Sequence, residues 1–274
     1  MISVIIPAYK EPLLQKTVST LLENGHDIEV IVILDGWDAK ITPHEKLRTV
    51  RLPENKGLRN AINVGMKEAR GEWVMKCDAH CYFPKNFDII ALECAKEDTL
   101  VTLRRYSLNE EMWYRDERRY IKDHHYISFP KKTDYGESME VTDWYSKTKK
   151  MFDIPIDEAM TIQGSCWIAH KGYFTKNIVL DEEHYGTFWL ENMEISMKYW
   201  FGGGRVLVNK KTWYAHLNKR KHHYETGEYA REYKKDEKTV SIHEWATRYW
   251  MSKKGFEDFI KKFNPPGWNN WKKQ

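Results

Sequence analysis

Two apolar runs, residues 1–7 and 28–34, leave almost no polar face: Ile2, Val4, Ile5 and Ile6 crowd the first, and the second is nearly all Ile, Val and Leu. A strand without a polar face has to be covered on both sides, which points to a parallel sheet lying between helices. Between the two runs, residues 13–24 place Leu13, Val18, Leu21 and Leu22 on one helical stripe, with Gly25 as the stop. Residues 47–52 read as a third strand, 58–69 as a second helix broken by Gly71, and 72–77 as a further strand. This alternation predicts an α/β domain with a mixed, mainly parallel central sheet and helices on its faces. Ligands of such sheets sit outside the carboxyl ends of the strands. The polar residues just after Ile6, Leu34 and Cys77 are therefore expected at the mouth of a site.

Beyond this core the pattern weakens. Residues 99–159 are rich in Tyr, Trp, Arg, Lys and Asp with poor periodicity, and read as loops and short elements over the sheet. Apolar character returns over residues 160–174 and in a strand at 206–214, and a helical pattern occupies 240–251 before Pro265-Pro266-Gly267. With 41% hydrophobic and 31% charged residues, the 274-residue chain is globular in composition. No run approaches the roughly 18 apolar residues of a membrane span, and the first residues lack the basic region and the cleavage site of a signal peptide. A cytoplasmic protein is expected. The four cysteines form no Cys-x-x-Cys pair, so reduced thiols are expected rather than a zinc site or a disulfide framework.

Charge is unevenly distributed. Residues 205–274 carry 17 Lys and Arg against 8 Asp and Glu, a balance of +9, while the first 204 residues balance at −5. That basic stretch also holds Trp213, Trp245, Trp250, Trp268 and Trp271. Basic residues interleaved with rings suit an anionic partner such as nucleic acid. The alternative is a solvated helical face anchored to the body by its tryptophans.

Chemistry concentrates at Lys76-Cys77-Asp78-Ala79-His80. An apolar strand delivers a carboxylate and an imidazole two residues apart, and extended-chain alternation turns both the same way. One oxygen and one nitrogen ligand suit a divalent cation such as Mn2+. His216, just after the strand at 206–214, is a candidate third ligand. Alone, an Asp-x-His pair is more often an ordinary N-cap or surface pair.

The surrounding motifs add to this. Ser3-Val4-Ile5-Ile6-Pro7-Ala8-Tyr9-Lys10-Glu11 resembles the opening of family 2 nucleotide-sugar glycosyltransferases. Ile33-Leu34-Asp35-Gly36-Trp37-Asp38 is similar to their acidic turn after the second strand, Asn55-Lys56-Gly57-Leu58-Arg59 to the helix start that follows, and Asp78-Ala79-His80 stands where they keep Asp-x-Asp. The Asp-x-His form resembles polypeptide N-acetylgalactosaminyltransferases. So do Gln163-Gly164-Ser165-Cys166-Trp167, Trp189-Leu190-Glu191-Asn192-Met193-Glu194-Ile195-Ser196, Gly202-Gly203-Gly204-Arg205-Val206 and His216-Leu217-Asn218-Lys219, all in order over residues 2–219.

The resemblance implies a GT-A fold over residues 1–220, with 221–274 as a basic, aromatic-rich helical C-terminal extension. It implies a nucleotide-sugar donor, with UDP the expected nucleotide, bound by Pro7, Ala8, Tyr9, Glu11, Asp35, Gly57, Arg59, Asp78, Gln163, Gly164 and Trp189. Asp78, His80 and His216 would hold Mn2+ or Mg2+ against the departing diphosphate. Glu191 and Asn192 are the expected catalytic pair, with Glu194 one turn further along the helix. Inverting family members commonly have a second acid where this chain has Asn192, and an amide cannot serve as a general base. Either Glu191 is the base, or configuration is retained as in the N-acetylgalactosaminyltransferases, the reading preferred here. The hydroxyl acceptor is open among polysaccharide, protein hydroxyl and, through the basic tail, a hydroxylated DNA base. The competing reading is a non-catalytic nucleotide- or sugar-nucleotide-binding protein that retains the fold.

Overall fold

A computed structural model describes residues 1–134, 136–188, 190–218 and 237–269. The chain begins with β1 (Ile2–Ala8), α1 (Leu14–Asn24), β2 (Ile28–Asp35), β3 (Leu47–Leu52), α2 (Leu58–Glu68) and β4 (Trp73–Cys77). Next come β5 (Cys81–Tyr82), α3 (Phe87–Leu92), β6 (Thr99–Asn109), β7 (Tyr114–Asp116), β8 (His125–Ile127), β9 (Lys131–Thr133), β10 (Gly136–Ser138) and β11 (Val141–Asp143). The rest comprises α4 (Tyr145–Lys150), β12 (Ile156–Glu158), β13 (Cys166–His170), α5 (Lys171–Asn177), α6 (Glu182–Tyr185), α7 (Glu191–Phe201), β14 (Arg205–His216), α8 (Glu237–Met251) and α9 (Phe256–Phe263).

The central sheet runs β12-β14-β6-β13-β4-β1-β2-β3, with β5 added on β14 and β7 on β6. Strands β1, β2, β3 and β4 pair in parallel, as do β6 and β14. Strand β13 lies antiparallel between β4 and β6. Two antiparallel steps restore direction, so β4 and β14 both end at the same edge of the sheet. That edge carries the site.

The apolar runs behave as their composition requires. All eight residues of β2 are buried, and β1 is buried at every position but Pro7. One cluster packs α1 and α3 on one face through Leu14, Val18, Leu21 and Phe87, and a second packs α2 and α7 on the other through Ile62, Met66 and Ile195. The region expected to be loops holds an eleven-residue core strand, β6, buried over Thr99–Leu103. Its apolar start, Leu100, Val101 and Leu103, is followed by Arg104-Arg105-Tyr106, and that change of character hid it from a reading by periodicity.

Helices α8 and α9 do not stand apart from the body. Trp250, Phe256, Phe259 and Trp268 share a core cluster with Met193 and Met197 of α7 and with Ile127 and Trp144. Trp250 is 3% exposed and Trp268 2%, while Trp245 stacks on His184 and Tyr249. Burying each such ring contributes roughly 2–3 kcal/mol, so packing occupies the surfaces that stacking on nucleic acid would need. The tail thus follows the anchoring alternative, not the nucleic-acid one, at these three rings; Trp271 and the expected boundary at 220/221 lie outside the described residues. Among the described residues, no helix is long and apolar enough to cross a membrane, and Cys77, Cys81, Cys94 and Cys166 are free thiols.

Candidate active site

The site is assembled by pairing, not by nearness in sequence. Asp78 leaves β4, and its amide donates to the Ser165 carbonyl at 3.0 Å, tying it to the start of β13. His80 precedes β5, which pairs antiparallel with the end of β14 so that Cys81 lies opposite His216. The Leu217 amide then donates to the His80 carbonyl at 3.1 Å. A register shift between Asn209 and Trp213 in β14 adjusts the strand before that contact.

Three ligand atoms converge as a result. His216 Nε2 is 3.0 Å from Asp78 Oδ2 and 3.0 Å from His80 Nε2, and His80 Nε2 is 3.9 Å from Asp78 Oδ2. One carboxylate oxygen and two imidazole nitrogens within 4.8 Å of one another are a donor set suited to Mn2+ or a similar divalent ion. The surroundings fit that use. Glu11, 5% exposed, sits 2.9 Å from His80 Nδ1 and accepts its N–H hydrogen bond, leaving the Nε2 lone pair directed at the cluster. Glu11 therefore fixes the orientation of the His80 ring; from the sequence it was expected to line the donor pocket. His216 is held differently. Its Nδ1 lies 2.8 Å from the guanidinium of Arg105, which can only donate, so the ring proton sits on Nε2 and faces Asp78. For His216 to hold a cation through Nε2, its ring proton would have to sit on Nδ1 instead, and Arg105 would then keep Gln163 and Asn218 as partners. Burial, and then the Arg105 charge, push the His216 pKa down to about 3, so the imidazole is neutral at ordinary pH.

Below the ligands lies a buried cation. Lys76 is 1% exposed, and its ammonium donates to Asp78 Oδ1 and, at 2.6 Å, to the Gly164 carbonyl. Burial opposes its charge, but Asp78 and Glu191 outweigh that and hold its pKa above the ordinary lysine value. The same partnership works on Asp78: burial alone would raise its pKa, yet Lys76, His216 and His80 hold the carboxyl well below the usual range.

Glu191 opens α7 and leans on Gly164, where a Cβ would stand 2.2 Å from Glu191 Oε1. Its pKa is raised, chiefly by burial, with Lys76 and Arg59 offsetting part of the effect. The Asn192 side chain accepts from the Met193 amide at 2.9 Å. Since Gly164 leaves the space that Glu191 occupies, Gly164→Ala is expected to lower kcat about 100-fold through displacement of that carboxylate while the melting temperature changes little. Steady-state kinetics beside a thermal melt check this, and an unchanged kcat removes Glu191 from the reacting centre.

The other residues singled out in the sequence divide into two groups. Asp35, at the end of β2, is 4% exposed and accepts from the Lys56 and Gly57 amides, both at 2.7 Å. Gly57 adopts φ 89°, where a Cβ would also collide with Thr187, so this turn requires glycine. Pro7 and Tyr9 are half-buried beside the buried Ala8 at the end of β1. Arg59 and Gln163 are turned elsewhere. Arg59 is fully buried, pairs with Glu194 and lies under the Tyr185 ring at 4.5 Å, so its charge is used inside the protein and not on a phosphate. Glu194 is thereby a structural partner, not a reserve base. Gln163 is 3% exposed and clamps Arg105 and the Lys122 carbonyl. Trp189 lies outside the described residues.

Two participants escaped the sequence reading. Lys76 was legible in principle: a lysine inside an apolar strand, two residues before Asp78, must share its face. Arg105 gave no signal, because its strand was read as loop.

Against this geometry, the model of glycosyl transferase family 2 matches residues 3–175. The chain belongs to that family. Its fold resembles that of GalNAc-T7 with UDP, GalNAc and Mn2+, with a TM-score of 0.62 at 16% identity over 100% of this chain and 57% of that one. It also resembles Staphylococcus aureus TarS 1-349 in complex with UDP-GlcNAc, with a TM-score of 0.52 at 18% identity over 82% of this chain and 61% of that one. These likenesses establish the GT-A fold for this family 2 member, which spans less than two thirds of either structure. No curated protein matches it in sequence.

Proposed function

We propose that this family 2 member transfers a sugar from a UDP-linked donor to a hydroxyl acceptor, with Mn2+ or Mg2+ as its resident cation. The reading is carried by the meeting of Asp78 Oδ2, His80 Nε2 and His216 Nε2 at the carboxyl edge of the sheet, with Glu11 behind His80. Held there, the cation would neutralise the diphosphate that leaves when the anomeric bond breaks. Asp35 and the end of β1 would bound the nucleoside, since a carboxylate oxygen that already accepts one amide keeps a further lone pair for a base or ribose donor. Glu191 would face the sugar. The UDP, GalNAc and Mn2+ of the GalNAc-T7 structure and the UDP-GlcNAc of the TarS structure support the choice of donor class.

Glu191 is paired with Asn192, which supplies no base, and retention of anomeric configuration is the stereochemical reading adopted. The test is a thermal-shift panel of UDP-, GDP- and TDP-sugars with and without Mn2+. Stabilisation by a UDP-sugar that depends on Mn2+ is expected, followed by Mn2+-dependent donor hydrolysis. Nucleotide affinity indifferent to metal would instead indicate a binding protein. NMR of the released sugar, recorded before mutarotation, assigns its anomer, and inversion would make Glu191 the base.

A further inference from the structure

We propose that Lys76 is a positioning residue of the site: its ammonium reserves one oxygen of Asp78 for itself, so that Asp78 offers a divalent cation a single oxygen and the cation keeps positions open for the donor's diphosphate. This rests on the metal reading above and extends it to a residue outside the ligand set.

Four observations carry it. Lys76 is almost wholly buried at the end of β4, where every neighbouring strand residue is apolar, so its charge is held there against a desolvation cost. Its Nζ meets Asp78 Oδ1, whereas the cluster with the two imidazoles forms on Oδ2. The carboxylate is thereby divided, one oxygen to the lysine and one to the ligand triad. The second lysine contact, to the Gly164 carbonyl at 2.6 Å, anchors the ammonium to the backbone against which Glu191 rests.

The consequence follows from charge and coordination number. A carboxylate with both oxygens free can bind a divalent ion in a bidentate manner and fill two positions. With one oxygen blocked, the protein supplies three single-atom ligands, and the remaining positions fall to phosphate oxygens and water. A fixed positive charge behind Asp78 also repels the ion, so the site holds it weakly until the diphosphate adds its own negative charge.

Mn2+ binding to the full-length chain, followed by the EPR signal of the free ion, tests this without turnover. Lys76→Met, of similar length but uncharged, is expected to bind Mn2+ alone about tenfold more tightly than wild type and to gain less affinity when UDP is added. Lys76→Arg is expected to track the wild type. Equal or weaker Mn2+ affinity in Lys76→Met overturns the proposal. A crystal structure of the wild-type chain with MnCl2 and UDP decides it should the variant fail to fold: Asp78 bound through one oxygen, with Lys76 on the other, supports it, and a bidentate Asp78 overturns it. Failure of the underlying metal reading is separable, because it appears as absence of Mn2+ binding by the wild type itself, and that result overturns both.

Discussion

Asp78→Asn is expected to lower kcat/KM for the nucleotide-sugar donor by about a thousandfold, the scale on which loss of a preorganised charge at a developing anion is felt. The substitution keeps the shape of the side chain and a carbonyl oxygen, so what it removes is charge. That charge has two dependants. The cation would lose its only anionic protein ligand among Asp78, His80 and His216. The Lys76 ammonium would lose its nearest counter-ion and be left with the Gly164 carbonyl and the field of Glu191. A lower melting temperature is therefore expected as well. Titrating Mn2+ in the kinetic assay separates the two effects: a variant limited by cation affinity recovers at high Mn2+, one limited by misplaced groups does not. Donor turnover that stays within tenfold of wild type at ordinary Mn2+ would mean the triad is not where the diphosphate is neutralised.

The parts of this site that the sequence disclosed and those it hid differ for a physical reason. Asp78 and His80 are a local pair, two residues apart at the end of an apolar strand, and alternation alone aligns them. The first four strands and both early helices are local too, and each follows from an apolar run or stripe bounded by a turn residue. His216 was reachable only through its place after a strand and the family pattern, because its position depends on β5 crossing to β14, a two-residue pairing without periodicity. Strand β6 was missed because the apolar run at its start breaks off at Arg104-Arg105-Tyr106, where the arginines face polar partners such as Asp123 and Gln163. The partners of Glu11 and Arg59 were hidden for a related reason. Sequence showed charged residues near strand and helix ends but not whether their partners are ligands or protein, and here the partners are His80, from 69 positions away, and Glu194, from 135 positions away. The basic tail illustrates the limit of composition: its tryptophans could equally stack on a partner or anchor a helix, and only packing against Met193 and Met197 distinguishes the two.

Glu194→Gln is expected to cost about 3–5 kcal/mol of folding stability, measured by urea or thermal unfolding, because it strands a buried charge. Arg59 and Glu194 are both fully buried and paired across the interface between α2 and α7. Glu194 also accepts from the Asp181 amide at 3.0 Å and from Lys198 at 2.6 Å, so one carboxylate joins three segments of chain. Around it the guanidinium lies under Tyr185, whose hydroxyl accepts from Trp250 of α8 at 2.7 Å. The pair therefore links the early helix, the helix that carries Glu191 and the C-terminal packing. Gln preserves the hydrogen-bonding shape but not the charge, so Arg59 would keep its desolvation cost without its counter-ion. The double replacement Arg59→Met with Glu194→Met removes both charges and fills the space, and is expected to recover most of the loss, since apolar substitutes for a buried pair are often neutral or better. A single variant that loses under 1 kcal/mol, or a double variant no better than the single one, would show that the interaction is not what joins these helices. Recovery of stability in the double variant with near-normal donor turnover would place the pair in the scaffold behind Glu191, while stability without turnover would show that the Arg59 charge reaches the reacting centre through the field it exerts on Glu191.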